Sequence, residues 1–521
     1  MRGGRKLLFN SQTRAMILLD ADECDIWADW NSKSSDVPTQ HNPVFAQSLI
    51  NDGFLVQFSQ DEMEVVKRNY FMNRHDSNVL MLTIAPTMAC NLACGYCFQG
   101  LNKDVGKYDT RLPDAIMDFI KQQRTDLKKL SVTWYGGEPL MAKKEIFALA
   151  DRMISYSDKN NIHYSSMIVT NGYFLTREVA QQLWSRRCTS AQVTVDGVEE
   201  THNKMRPLTS GRGSFKRIME NITDVLEETP LGISLRINVG HRNVDECDQL
   251  IDELHARGFP EKGNFLLYFA PIDAGTANSG TAFEEGLTRL EYNQAVLALG
   301  ERARSLGMAA PIEAPKGFLG MCVASVDNGY VITHRGDVHK CWETAHDPRK
   351  RIGTIFEPNK LKHSLNNMLW EAWSPFESDV CRSCRILPMC GGFCGHRFLY
   401  QGNGGEDALP CPDWKWNTAE YIFLRAKQMG VVNEEDWIPG QETCTAMQSG
   451  VRHSTESLKA AQAAYLNYVA KKTEHDLSVD YLHNGDGRFF ESINVESGEL
   501  EENSQVPRLD VNPVGSKTEE S

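Results

Sequence analysis

Three cysteines stand close together in Cys90-Asn-Leu-Ala-Cys94-Gly-Tyr-Cys97. Thiolates at this C-x3-C-x2-C spacing can hold three corners of a cuboidal iron–sulfur cluster. With no fourth cysteine nearby, one iron stays open to a substrate or cofactor. A structural zinc site would need four closed ligands, and the nearest histidines, His75 and His163, are poorly placed to supply one. A second cysteine field comes later, as Cys322, Cys341, Cys381, Cys384, Cys390, Cys394 and Cys411. Zinc ribbons also use C-x2-C pairs, so the residues alone leave iron and zinc both standing there. Of the 14 cysteines, Cys24, Cys188, Cys247 and Cys444 lie apart and read as small buried hydrophobes.

The elements that must position these thiols are legible as alternating patterns. Apolar strand-like runs at 79–85, 130–134, 166–169, 191–195, 233–239 and 265–270 alternate with helical patterns at 113–124, 144–156, 177–187, 214–228 and 244–257. Strands separated by helices of that length predict an α/β fold with a parallel sheet. Six such units make either an open sheet or a barrel lacking two of eight repeats, and ligands collect at the carboxyl ends of the strands. The first thiol set follows the first strand directly.

Ahead of this core, residues 1–76 read as a small α+β module. A hairpin at 7–9 and 15–19 turns through Asn10-Ser-Gln-Thr13, followed by helices at 22–30 and 43–52, a strand at 54–58 and a charged helix from about residue 60. Residues 310–425 hold seven cysteines and little periodicity, so ligands are expected to replace hydrophobic bulk. Residues 426–490 read as a helical extension, amphipathic around 458–469. Residues 491–521 carry eight acids against two bases and no aromatic, the pattern of an unstructured acidic tail.

Composition narrows the function classes. The 521 residues allow two to four domains, and 41% hydrophobic with 24% charged residues is ordinary globular usage. A formal charge of −14 lacks the basic footprint of a nucleic-acid binder. No apolar run approaches the roughly 20 residues that would span a bilayer. The basic start is followed too soon by Asn10, Gln12, Thr13 and Arg14 for a secretory core. Clustered cysteines in a long chain of this kind point to a reducing cytoplasm, and to metal or catalysis rather than disulfides.

C-x3-C-x2-C with an aromatic before its last cysteine, after the first of repeated βα units, resembles the radical S-adenosylmethionine (SAM) superfamily. Three further motifs fall at matching strand ends: Gly136-Gly137-Glu138-Pro139 after the second, Thr170-Asn-Gly172 after the third, and Thr194-Val-Asp-Gly197 after the fourth. His202 and Arg206 then follow Gly197 in the family's D-G-x4-H-x3-R order. Alone, the first of these could be any tight turn. The second cysteine field resembles the seven-cysteine SPASM pattern of peptide-modifying members, and the motif-bearing likeness covers about residues 78–415.

The resemblance implies a partial (β/α)6 barrel over 78–308, a cysteine-rich SPASM domain over 309–425, and a leader-peptide-recognition-like module at 1–76. It implies three [4Fe–4S] clusters. Cys90, Cys94 and Cys97 would hold the one that chelates SAM; Cys322, Cys341 and Cys394 a first auxiliary cluster; Cys381, Cys384, Cys390 and Cys411 a second. Tyr96 would pack near adenine, Glu138 would hold the methionyl amine, and Thr194 and Arg206 would lie near ribose or carboxylate. The activity implied is hydrogen abstraction from a ribosomally made precursor peptide by a 5′-deoxyadenosyl radical, giving a thioether or another cross-link. An electron donor such as flavodoxin or ferredoxin would serve it. Rival readings are a maturase of a protein residue, a small-molecule radical SAM enzyme, and a zinc-stabilised binding protein.

Two departures matter. Some relatives carry an eighth cysteine before the first SPASM cysteine, where this chain has Lys316, leaving the first auxiliary cluster one thiolate short. A substrate thiolate, water, or a carboxylate such as Glu313 or one from residues 273–285 could fill that place. Sulfatase maturases place an Asp base directly after the second SPASM cysteine; here Trp342 stands there, with Glu343 next as a candidate substitute base.

Overall fold

The computed structural model describes residues 4–32, 43–56, 60–100, 105–122, 126–274, 279–309, 322–400, 411–436, 492–493 and 500–501. At the N-terminus β1 (Lys6–Phe9) and β2 (Met16–Leu19) pair antiparallel. The Asn10 carboxamide turns the hairpin by accepting from the amides of Gln12 and Thr13 at 2.8 and 3.1 Å. Helices Ala21–Ser32, Pro43–Asn51 and Glu62–Arg74 follow. The strand expected at 54–58 is absent over 54–56. There the amides of Phe54 and Leu55 both bond to the Leu49 carbonyl, at 2.8 and 3.1 Å, and so close the preceding helix. The Phe54 ring meets Trp27 edge-on at 6.4 Å, which explains its apolar character without a strand. Residues 57 and 58 lie outside the described residues.

The core is a sheet of six consecutive parallel strands: β3 (Val79–Thr87), β4 (Lys129–Gly136), β5 (His163–Thr170), β6 (Cys188–Thr194), β7 (Gly232–Val239) and β8 (Phe265–Pro271). Each pairs with the next in chain order, and β8 ends the sheet. The sheet is open. Helices cover it with apolar faces. In Phe215–Glu228 the buried residues include Ile218, Ile222, Val225 and Leu226, spaced to make one stripe. That stripe joins the main core with Ile168, Val193 and Leu235 from the strands.

The cysteine-rich section departs from expectation. Its Gly329–Thr333 segment is β9, which runs parallel beside β3 with Met81 opposite Gly329 and Ala85 opposite Thr333. β10 (Asp337–His339) and β11 (Gly353–Thr354) extend the sheet antiparallel beyond it, to nine strands among the described residues. All five residues of β9 are buried. A strand that short and covered on both faces carries no alternation to read.

Helix Thr418–Gln428 lies mostly ahead of the extension expected at 426–490, and Phe423, Ala426 and Val432 pack against Leu7, Met16 and Leu18 of the hairpin. The amphipathic stretch 458–469 lies outside the described residues. Within the expected tail, Ser492–Ile493 pairs antiparallel with Leu500–Glu501. The rest of that stretch lies outside the described residues.

Candidate functional site

The first three thiols sit on the loop that leaves β3, and β4 sets that loop's position. The amide of Gly137 donates to the Thr87 carbonyl at 3.1 Å and that of Glu138 to the Ala89 carbonyl at 2.8 Å. A Cβ on Gly136, whose φ is +133°, would lie 2.2 Å from the Thr87 oxygen, and one on Gly137 would lie 2.3 Å from the Ala89 oxygen. Only glycines allow so close a backbone approach. At the loop's far end the Gln99 carboxamide donates to the Gly136 carbonyl at 3.0 Å. Midway, the Ala93 amide donates to Pro207 at 2.8 Å.

Cys90, Cys94 and Cys97 share one small space. Burial pushes the Cys94 thiol up to about 12, Arg206 opposes that rise, and Cys97 and Cys90 add to it. The Leu92 amide donates to the Cys90 sulfur at 3.4 Å, and the Asn171 carboxamide reaches it at 3.8 Å. Donors aimed at a sulfur stabilise its thiolate, the form that binds metal. The residues therefore fit an iron–sulfur cluster. Among the described residues no three His, Cys, Asp or Glu side chains converge as they would around a single ion.

Glu138 is 0% exposed. Its carboxylate accepts from the Leu140 amide (3.0 Å), the Thr170 hydroxyl (2.8 Å) and the Asn171 amide (2.7 Å). The second and third strand-end motifs thus meet at one side chain. Burial raises this carboxyl above its usual range, against the pull of those bonds.

The fourth motif builds a different unit. The Tyr96 hydroxyl donates to Asp196 and accepts from Arg206 at 2.6 Å and from Asn238 at 3.2 Å. Arg206 pairs with Asp196 at 3.4 Å. His202 lies behind them. The Asp196 amide donates to its Nδ1 at 3.1 Å, its Nε2 meets the Ser214 hydroxyl at 3.1 Å, and Ser214 donates to the Arg206 carbonyl at 2.7 Å. The Nδ1 acceptor role leaves the proton on Nε2. Burial, aided by Arg206, holds His202 well below its usual pKa and so neutral.

Thr194 pairs with Arg236 in the ladder at the end of β6. It is Asp196, two residues on, that gathers Tyr96, Arg206 and Asn238. Asp196 and Asn238 were not singled out from sequence. Asp196 lies inside the Thr194–Gly197 motif, whereas nothing local marks Asn238.

The later cysteines fall into two spatial sets. Burial raises the thiols of Cys322, Cys341 and Cys394; Cys322 adds to the rise at Cys341 and Cys394, and Glu343 adds to all three. Separately, Cys411 and Cys384 raise Cys381, and the same two with Cys381 raise Cys390. The Lys415 ammonium donates to the Cys411 sulfur at 3.4 Å. Lys340, beside Cys341, is 3% exposed and donates to the carbonyls of Val326 (2.6 Å) and Gly329 (2.9 Å), fixing the turn between Cys322 and β9. Trp342 stacks on Tyr135 at 5.4 Å, joining this section to the end of β4. Lys316 and Glu313 lie outside the described residues.

Residues 84–258 match the Radical SAM superfamily, so the chain carries a radical SAM domain and is an enzyme. Such a domain uses a [4Fe–4S] cluster and SAM. The Fe-coproporphyrin III synthase of Methanosarcina barkeri is 26% identical over 255 residues, 48% of this chain and 54% of that protein. The mycofactocin maturase MftC of Mycobacterium tuberculosis is 23% identical over 323 residues, 60% of this chain and 78% of that protein. The chain thus spans about half of the first and over three quarters of the second. The solved structure of native anSMEcpe with bound AdoMet superposes with a TM-score of 0.53 at 18% identity, over 68% of this chain and 98% of that one, a likeness of fold. Among the described residues no helix is long and apolar enough to cross a membrane.

Proposed function

We propose that the protein is a cytoplasmic maturase that modifies a ribosomally made peptide by hydrogen abstraction. Cys90, Cys94 and Cys97 hold the cluster that binds SAM. Cys322, Cys341 and Cys394 hold a second cluster, and Cys381, Cys384, Cys390 and Cys411 a third, in a SPASM-like section. The observation that carries this reading is the sorting of the seven later cysteines into one set of three and one of four beside a radical SAM domain. The likeness to a maturase over 78% of that protein supports it.

When bound, the first cluster and SAM supply a 5′-deoxyadenosyl radical that takes hydrogen from an unactivated carbon. The chain's own residues place the partners. Glu138 keeps acceptor capacity beyond its three bonds for the SAM amino group. Tyr96 is held by Asp196 and Arg206, so the cysteine loop cannot swing. Thr194 and Arg206 lie toward ribose or carboxylate.

Residues 1–76 recognise the precursor's leader. In support, β1 and β2 form a two-stranded sheet whose edges pair with no other strand among the described residues, and an extended peptide can add to such an edge. An electron donor such as flavodoxin or ferredoxin serves the first cluster.

The test is anaerobic incubation of reconstituted enzyme with SAM, a reductant and the short peptides encoded beside its gene. A peptide mass change accompanied by 5′-deoxyadenosine is the expected result. Unchanged peptides alongside turnover of an iron coproporphyrin would instead favour a small-molecule reading, which the Methanosarcina relative motivates. About twelve irons per chain are expected in full loading.

A further inference from the structure

Glu343 has an environment unlike that of an ordinary surface acid. It lies on the short turn Trp342–Thr344, which starts at Cys341. Burial raises the Cys341 thiol, and the neighbouring Glu343 amide works against that rise. Its charge acts on Cys322, Cys341 and Cys394 together. One carboxylate oxygen, Oε2, is buried with no hydrogen-bond partner among the described residues. Leaving a buried carboxylate oxygen unmatched is costly, so such an atom calls for a partner that the described protein atoms do not supply.

The surrounding groups do not fill that role. Asp273, the acid nearest in effect, is paired with Arg397. Lys340 is committed to main-chain carbonyls, and His339 to the Thr344 hydroxyl at 3.2 Å. Arg397, Arg236 and Lys350 act on Glu343 only as charges, without bonding Oε2. Among the described residues the set of four thiols is complete in number, and the set of three is one donor short. Iron accepts carboxylate oxygen as well as thiolate sulfur.

We propose that Glu343 supplies the fourth, oxygen ligand to the iron–sulfur centre held by Cys322, Cys341 and Cys394. The inference rests on reading those three thiols as cluster ligands. Each thiol and the carboxyl releases its proton on binding, and no electron is transferred in that step. The centre is then closed by the protein itself, and a peptide thiolate would have to displace Glu343 to reach its iron. A mixed ligand set also makes this cluster spectroscopically unlike its four-thiolate neighbour, because ligand type tunes the electronic state of the iron.

The experiment uses the full chain with Cys90, Cys94 and Cys97 replaced by Ala, reconstituted anaerobically with 57Fe so that only the later centres contribute. Mössbauer and EPR spectra are compared for Glu343, Glu343→Gln and Glu343→Cys. The expected result is a distinct iron site, about one in four of one cluster, that is present with Glu343, lost or shifted with Gln, and turned thiolate-like with Cys. Identical spectra and iron content for Glu343 and Glu343→Gln would overturn the proposal. Failure of the underlying reading looks different: replacing Cys322, Cys341 and Cys394 together would leave the iron content unchanged. If the Gln protein does not fold, the Cys variant decides alone, since an unchanged spectrum there also overturns the assignment.

Discussion

The guanidinium of Arg74 donates to the carbonyl of Trp373 at 2.7 Å and reaches those of Trp370 and Glu371 at 2.9 and 2.8 Å. The last residue of the N-terminal module's third helix therefore caps the C-terminus of helix Leu365–Ala372, nearly 300 positions later in the chain. A cation at a helix C-terminus satisfies carbonyls that otherwise lack partners. Tyr70, Phe376 and Leu387 pack around this contact, with Cys381 at its edge.

Arg74→Ala should cost about 3 kcal/mol, because it strands several buried acceptors at once. Chemical denaturation of the anaerobic protein measures it. The same contact bears on how a leader-binding test is built. Removing residues 1–76 would strip this cap as well, whereas removing residues 1–56 leaves helix Glu62–Arg74 in place. The shorter deletion should weaken precursor binding and spare SAM cleavage.

Gly137→Ala should displace the cysteine loop. Its Cβ would meet two main-chain oxygens, those of Ala89 at 2.3 Å and Met88 at 2.4 Å, and neither can rotate away. Iron bound at the first cluster and SAM affinity should both fall, on the order of tenfold or more in affinity for a shift of about 1.4 kcal/mol. Equilibrium SAM binding and iron analysis check this; full retention of both would show that the strand end and loop separate freely.

Tyr96→Phe removes one hydroxyl and leaves Asp196, Arg206 and Asn238 each short of a partner. Unsatisfied buried polar groups cost about 1–3 kcal/mol each. The loop carrying Cys94 and Cys97 should loosen, and iron should leave to a chelator several-fold faster. Stopped-flow chelation of the wild type and the variant side by side is the measurement.

His202 gives a pH signature. Burial, with Arg206, keeps its folded pKa well below 6.5, while the unfolded chain titrates near the ordinary value of about 6.5. The unfolded state therefore binds the extra proton first as pH falls. Stability is full above that pH and declines below it, by about 1.4 kcal/mol per pH unit for this one group. His202→Gln can still accept from the Asp196 amide but has no proton to take up. The stability gap between wild type and variant should thus narrow from pH 7 to pH 5, other groups cancelling in the difference.

Much of the sheet was legible because each central strand and its helix carry their own periodic signal. Residues 232–239 and 215–228 are examples. What escaped was set by contacts between distant residues. Gly329–Thr333 is a strand because β3 lies beside it, and residues 54–56 are not one because Leu49 takes their amides. The site divides likewise. The cysteines and glycines announce themselves by type and spacing, but Asn238 matters only because it lies next to Tyr96, 142 positions away. The half-buried setting of Glu343, expected only as a substitute base, also comes from folding. Tyr135, Asp273 and Arg397 belong to other elements.

Pairing β3 with β9 has a consequence for how the chain is made. The edge strand of the radical SAM core leaves the ribosome first, and the strand that covers it follows about 250 residues later, a wait on the order of tens of seconds at ordinary elongation rates. Throughout that interval Met81 to Ala85 present an apolar strand edge with unmet hydrogen-bonding groups, the kind of surface on which nascent chains cross-pair. The cysteine-rich section is therefore also the guard of that edge. A chain halted at residue 309 would carry every SAM motif and still be prone to aggregate, so expression of the core alone is a poor surrogate for the whole enzyme.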